Sequence, residues 1–526
     1  MSGTYDILVV GGGSNSLTAA AYMAKAGKKV LVLEKNSQCG GGVVSINIAP
    51  GFTHDPHATG LVACLPNPAI SHGELPLAKH GYELVPFEAS FASVFEDGTG
   101  LISYQSLDKT CAAIAKFSAR DAETYRKMAS DAMALLPLLS RSMAAPPLPF
   151  GGFVAMLEQS ANGRRLVTSL LSSVYDVLED NFESVELKLH FMKWCGEMMM
   201  NPETKGTGIT FHMLLGMSHS FEAGCVKGGS KNLTNALIGT LREFGGEVRT
   251  NAEVRRVIVS GGRASGVEML DGEILTARDA VIASIHPWRL GDYITGIADD
   301  IIKAARQTKL SDHGAINQQI ALTHAPEYKA GPQYKDVLCV ELMHKDVRAC
   351  REQFHNYIMG GMNLEQLSPL VIVNSNKDPS RAPAGQAAMY LYHFGPREWA
   401  KGGIEAWAEH QAEVADAVWN ETKKYCTNLD DGNIIARHVE TPLTHHRHSN
   451  SMMLGDIFGI GGSAATMLGR RPIPELARYR VPGVEGLYLS GPFMHPGGAV
   501  TLGGRATAVA LFQDLKIDLK RGFIAI

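Results

Sequence analysis

The chain has 526 residues, with 49 lysines and arginines against 53 aspartates and glutamates, a formal charge of −4 and 45% hydrophobic residues. That length allows two or more domains with substantial cores, and the near balance of charge, with no long basic run, gives no sign of a nucleic-acid partner. Eight cysteines without a C-x-x-C pair argue against a redox disulfide or an iron–sulfur centre, and no apolar stretch reaches the roughly 18 residues that a membrane span requires.

The first strand is expected almost at once, over residues 6–10, with no basic region, apolar segment or cleavage site ahead of it, which points to a cytoplasmic protein. Its Ile, Leu and Val run suits a parallel strand buried on both faces. Gly11, Gly12 and Gly13 follow, then Ser14, Asn15 and Ser16, and a run of helix formers over 17–26 that Gly27 ends. Glycines let backbone N–H groups approach a diphosphate without an intervening Cβ, and the helix N-terminus stabilises its charge. A second strand over 29–33 closes on Glu34, whose carboxylate can accept both ribose hydroxyls of an adenosine. The spacing departs from G-x-G-x-x-G only at Ser16, a residue small enough for close helix–strand packing. Strand, turn, helix, strand and acid within one βαβ unit predict dinucleotide binding.

Lys35 leads into Gly40, Gly41 and Gly42, where the backbone can run close to a bulky flat ligand. His54, Asp55 and His57 come next; Pro56 fixes the chain between them and no third histidine falls at a helical offset, so no metal is expected. Residues 82–104 alternate as two strands joined at Asp97-Gly98, and 107–139 and 162–194 read as helices. Between them, residues 132–157 are the most apolar stretch, broken by Arg141 and by prolines at 137, 146, 147 and 149. A hydrophobic lid packed on its own domain is the expected reading, with peripheral membrane contact as the alternative. Met198, Met199, Met200, Phe211, Met213, Leu214 and Met217 form either a soft apolar cavity or core filling.

From Gly224 the chain reads as a helix over 231–244, hairpins at Gly261-Gly262 and Asp271-Gly272, and an apolar strand over 280–285 that returns to the parallel sheet. Strands over 338–342, 370–374 and 388–393 and a helix over 404–425 complete a second domain. His438, His445, His446 and His448 form the densest histidine group, expected as a solvated or substrate-entrance loop because neighbouring histidines on a loop often fail to converge on a metal. A strand over 486–489, a glycine-rich turn over 490–501 and a helix over 503–511 make a second strand–turn–helix unit, whose helix N-terminus can face the electron-rich end of a flavin ring. Only one complete nucleotide fingerprint is visible, so no separate NAD(P)-binding domain is expected.

Four segments carry a family likeness: VVGGGSNSLTAAAYMAKAGKKVLVLEK, PGFTHDPHATG, VKGGSKNLTNALIGTLREFGGEVRTNAEVRRVIV, and the C-terminal pair TPLTHHRHSNSMMLGDIFG and GLYLSGPFMHPGGAVTLGGRATAVA. With them the chain resembles the phytoene desaturase-like flavoproteins, the branch of the FAD-dependent amine oxidase and carotenoid desaturase superfamily that also holds retinol saturase and the pyridine nucleotide-disulfide oxidoreductase domain-containing proteins. In the family's G-x-G-H-N-G-L motif, Asn15 and Leu17 agree while Ser14 and Ser16 depart, and His57 stands where many members have a small residue.

The resemblance implies an α/β fold, a Rossmann-type FAD-binding domain with an interleaved α+β substrate domain. The FAD domain would comprise 1–80, 222–290 and 435–526, and the substrate domain with its helical lid 81–221 and 291–434. FAD would be held by Gly11, Gly13, Ser14, Asn15, Ser16, Glu34, Lys35, Gly41, Gly42 and, near the adenine, Val254. Gly491, Pro496, Gly497, Gly498 and Ala499 would line the ring, with Gly503 at the last helix start. His495 and His57 are the candidate catalytic residues, since both fall in segments beside the ring and imidazole titrates near neutrality; the alternative is two hydrogen-bonded structural histidines.

The implied activity is a dehydrogenase or desaturase passing hydride from a carbon of a hydrophobic, aromatic or unsaturated substrate to flavin N5. Its electron acceptor would be dioxygen or a quinone, and a homodimer is the common default. A redox-neutral hydratase or isomerase acting on a carbon–carbon double bond, and a non-catalytic lipid carrier, are the other readings.

Overall fold

The strand Thr4–Val10 lies at the centre of the first sheet, in parallel register with Val30–Leu33 on one side and with the end of Ile274–Ala283 on the other. This is a computed structural model, and it describes residues 3–61, 67–498 and 500–524. Glu247–Arg249 extends the sheet beyond Val30–Leu33, and Leu487–Leu489 joins Ile274–Ala283 in parallel. The 10-residue strand Ile274–Ala283 does two jobs. Residues 276–283 of it pair with the first strand in parallel, and 274–276 pair antiparallel with Arg263–Met269, which pairs with Val254–Ser260. Central positions are buried on both faces, as the continuous apolar runs of 7–9 and 30–33 require.

The second sheet runs in the order Ile434–Glu440, Gly314–Leu322, Ala387–Gly395, Leu370–Ile372, Val337–Met343, Ala89–Phe95 and Gly100–Tyr104. It is antiparallel except where Val337–Met343 meets Ala89–Phe95. One face packs on the helical block and the other on the helix Trp407–Lys424. Leu84–Phe87 and Ala223–Val226 form a separate two-stranded antiparallel piece. The segment 82–104 therefore holds three strands rather than two, the first of which leaves for a different sheet.

The long helical stretches are cut by serines. Ser118 caps Ala119–Met143 and separates it from Leu107–Ile114, while Ser160, Ser173 and Ser184 start Ala161–Leu171, Val174–Asn181 and Val185–Gly196. Each accepts a backbone N–H of the first turn, which makes a restart cheaper than an uninterrupted helix. The apolar stretch 132–157 forms the end of Ala119–Met143 and the helix Phe150–Leu157, which packs Phe153 and Leu157 against Leu166, Leu170 and Ile209. Among the described residues no helix is long and apolar enough to cross a membrane.

Candidate cofactor and substrate site

A cavity of about 510 Å³ runs from the Gly11–Ser16 turn, past Glu34, Gly41, His57 and Gly497–Gly498, to an aromatic end under the second sheet. At its first end the strand Thr4–Val10 stops, and Gly11 turns the chain at φ +92 while its N–H donates to the Leu33 carbonyl at 2.8 Å. Gly12 N–H donates to Glu34 Oε2 at 2.7 Å, and Asn36 N–H donates to Oε1 at 2.8 Å. A Cβ on Gly12 would meet Cys39 Sγ at 2.6 Å, whereas one on Gly13 would have nothing within 4 Å. Among the described residues the helix Ser14–Lys25 begins there with no side-chain cap, and its first residues, Ser14 to Ser16, line the cavity.

An uncapped 12-residue helix over an open glycine turn, with a buried carboxylate beside it, fits a dinucleotide's pyrophosphate and ribose. Ser14, Asn15, Ser16, Lys35, Gly41, Gly42 and Val254 line the same cavity. Gly503 does not; it packs against Asn15, whose Oδ1 accepts the Gly504 N–H at 3.0 Å and joins the first and last helices.

Gly491, Pro496, Gly497 and Gly498 form the facing wall, with φ +137, +90 and +61 at the three glycines. Ala499 lies outside the described residues. The wall is held by the buried Arg471, whose guanidinium donates to the carbonyls of Gly461, Ile460, Pro492 and Met494 at 3.0 to 3.2 Å. Burial lowers its pKa to about 10.

His495 departs from expectation. Its backbone joins this wall but its ring does not line the cavity: Nε2–H donates to the Ser142 carbonyl at 2.8 Å, under the proline-rich stretch, and burial lowers its pKa to about 4. The turn that places Pro496 to Gly498 along the cavity leaves the preceding side chain on the other side. His495 is thus a tether between the glycine-rich turn and the end of Ala119–Met143.

His57 does line the cavity. Asp55, two residues earlier, is fixed by Arg381 Nη1 at 2.6 Å, Ser45 Oγ at 2.5 Å and the Ser230 N–H at 2.8 Å, so Asp55 is an anchor for the loop. The His57 Nε2 lies 3.6 Å from Glu440 Oε2, and its Nδ1 is buried with no partner among the described residues. Burial lowers its pKa to about 3, against the pull of Glu440.

His445 Nε2 lies 3.5 Å from the same Glu440 oxygen, and half-exposed His438 places Nε2 3.4 Å from Oε1. Burial pushes Glu440 up, but the hydrogen bond from His438 and the pull of the neighbouring histidines outweigh it and hold the carboxyl below the ordinary range. The histidine group expected as a solvated loop thus divides: His445 is fully buried, and His448 Nε2–H donates to the Gly41 carbonyl at 3.1 Å. Ligand atoms of His57, Glu440 and His445 come within 4.8 Å of one another, although the Asn317 amide already donates to His445 Nε2 at 3.1 Å. The spacing of residues 54–57 and 445–448 could not show this convergence, because Glu440 comes from the edge strand Ile434–Glu440.

At the aromatic end, Met198, Met213, Leu214 and Met217 line the cavity, while Met199 and Phe211 are core. Trp194 stacks on Phe91 at 5.1 Å, and Tyr390 on Tyr392 at 5.7 Å. Glu197 is the residue that sequence reasoning missed here. It follows the helix Val185–Gly196, lines the cavity and carries no motif.

Residues 9–72 match the family of NAD(P)-binding Rossmann-like domains. The chain is 27% identical to pyridine nucleotide-disulfide oxidoreductase domain-containing protein 2 of Mus musculus, over 97% of this chain and 94% of that protein. It is 24% identical to the lycopene-forming phytoene desaturase of Pseudescherichia vulneris, over 97% of this chain and 99% of that protein. Among solved structures, cyclohexylamine oxidase from Brevibacterium oxydans is similar in fold, with a TM-score of 0.61 at 14% identity over 97% of this chain and 99% of that one. These relations and the Rossmann domain place the chain in the flavin/NAD(P)-dependent oxidoreductase superfamily, related to several divergent families within it.

Proposed function

We propose that this chain is an FAD-dependent dehydrogenase or desaturase acting on a hydrophobic, unsaturated or aromatic substrate. The observation that carries the reading is the continuity of one cavity between a nucleotide cradle and an apolar, aromatic chamber. A discontinuous FAD domain of residues 1–80, 222–290 and 435–526 and a substrate domain of 81–221 and 291–434 are part of it. Glu34 holds the ribose, the N-terminus of Ser14–Lys25 the pyrophosphate, Ala252 to Val254 the adenine side, and the Gly491 to Gly498 wall the ring.

Bound FAD supplies the hydride acceptor. The residues around the chamber exclude water and orient the carbon to be oxidised. His57, on the cavity wall, is the candidate acceptor of the remaining proton, with Glu440, 3.6 Å from Nε2, to stabilise the imidazolium against the burial that disfavours it. His438 on the other carboxylate oxygen, half-exposed, leads the proton to solvent. Dioxygen or a quinone accepts the electrons.

The test is to add hydrophobic unsaturated compounds anaerobically to the purified protein while recording the flavin spectrum. Bleaching of the oxidised bands by a member of the panel supports the reading. A correctly folded protein that holds no flavin overturns it.

A further inference from the structure

The aromatic end of the cavity contains a carboxyl that the proposed function leaves without a task. Glu197 lines it among Phe91, Trp194, Leu338, Tyr390 and Tyr392, and its Oε1 is buried with no hydrogen-bond partner among the described residues. The nearby ammonium is already engaged: Lys193 Nζ lies 3.0 Å from Glu341 Oε1, with both side chains buried, and 4.1 Å above the Phe394 ring. Two carboxyls therefore share the surroundings of one cation. An ionised carboxylate in an apolar chamber without its own counter-charge is strongly disfavoured, so the unpaired one takes a proton. Burial, and then repulsion from Glu341, push Glu197 well above the usual carboxylate range. Burial likewise keeps the Tyr390 phenol protonated.

We propose that Glu197 and Tyr390 form a subsite for the carbonyl oxygen of a substrate that is otherwise apolar. The inference rests on the reading of this cavity as a substrate chamber. A protonated carboxyl and a phenol are both donors, and a carbonyl oxygen offers two lone pairs and needs no donor of its own. An ammonium substrate would require Glu197 to ionise beside Glu341. A pure hydrocarbon would leave the Glu197 hydroxyl buried and unpaired, which is unfavourable. Phe91, Trp194, Leu338 and Tyr392 then enclose the ring or chain that carries the carbonyl.

A matched set of probes tests this: 4-phenylcyclohexanone, phenylcyclohexane and 4-phenylcyclohexylamine, titrated into the purified full-length protein. Tryptophan fluorescence gives the affinity, because Trp194 lines the chamber, and the thermal midpoint gives an independent readout. The ketone is expected to bind about tenfold tighter than the hydrocarbon, the effect of one net hydrogen bond. Glu197→Leu is expected to remove that preference, and Glu197→Gln, whose amide still donates, to retain most of it. Equal binding of ketone and hydrocarbon overturns the subsite, as does a preference that survives Glu197→Leu. Tightest binding of the amine, lost in both variants, overturns it in favour of an ionised Glu197. Flavin content measured on the same samples separates the two readings. A flavin-loaded protein blind to the ketone loses only the subsite, and a ketone-selective protein without flavin keeps the subsite and loses the cofactor.

Discussion

Replacing Glu34 by alanine should weaken FAD retention and loosen the glycine turn, and the two effects can be told apart. Glu34 is 7% exposed, and its two carboxylate oxygens accept the N–H groups of Gly12 at 2.7 Å and Asn36 at 2.8 Å. Alanine leaves both donors short of a partner at the cavity wall, at about 1–3 kcal/mol for each that water cannot reach. It also removes the acceptor for the ribose hydroxyls, a charge-assisted pair worth roughly 1–3 kcal/mol, or about 5- to 160-fold in Kd. Apoprotein titrated with FAD, following the flavin fluorescence, gives the affinity, while thermal unfolding without FAD gives the turn's share. Glu34→Gln should fall between wild type and alanine in both, since one oxygen is kept. A wild-type Kd for Glu34→Ala alongside a lowered thermal midpoint would refute the ribose assignment and leave Glu34 as a brace for the turn.

Glu440→Gln should lower kcat by up to about 10²-fold with FAD still bound, because the His57 imidazolium loses its counter-charge; unchanged turnover would remove the His57–Glu440 pair from the mechanism. Acid should destabilise the fold through its buried histidines. Burial lowers His57, His190, His313 and His393 to about 3 each. The unfolded chain, with histidines near 6.5, binds those protons first. The share of stability that these histidines carry is therefore full above pH ~6.5 and falls, by up to about 1.4 kcal/mol per pH unit for each histidine, as pH drops toward the folded values; urea midpoints that do not change between pH 7 and 5 would contradict this. Gly497→Ala combines a φ of +90 with a Cβ 2.4 Å from Arg471 Cζ, so it should cost at least about 1–3 kcal/mol and flavin occupancy with it; a thermal midpoint equal to wild type would show that the wall can shift.

The comparison of residues 314–322 with residues 30–33 shows why one strand is legible and another is not. Val30–Leu33 is an unbroken apolar run. Gly314–Leu322 is as deeply buried, yet its middle is Asn317, Gln318 and Gln319. Their amide N–H groups are paired inside the protein: Gln318 Nε2 donates to the Ala415 carbonyl at 3.0 Å, Gln319 Nε2 to Asn317 Oδ1 at 3.0 Å, and Asn317 Nδ2 to His445 Nε2 at 3.1 Å. No apolar pattern announces such a strand, and its neighbour Ile434–Glu440, at the sheet edge, alternates half-buried and exposed positions with none fully buried.

The amino-acid order by itself determined the nucleotide cradle, since strand, glycine turn, helix and closing acid are consecutive and each is set by local hydrogen bonding and backbone freedom. It likewise determined the glycine-rich wall as a second turn before a helix. Tertiary structure decided everything that depends on direction. Folding brought Glu440 from an edge strand to His57, turned the His495 ring onto the Ser142 carbonyl, and set Glu197 with Tyr390 in an apolar chamber. Side-chain orientation and pairing across distant segments are fixed by packing, and packing has no period that a linear pattern can display.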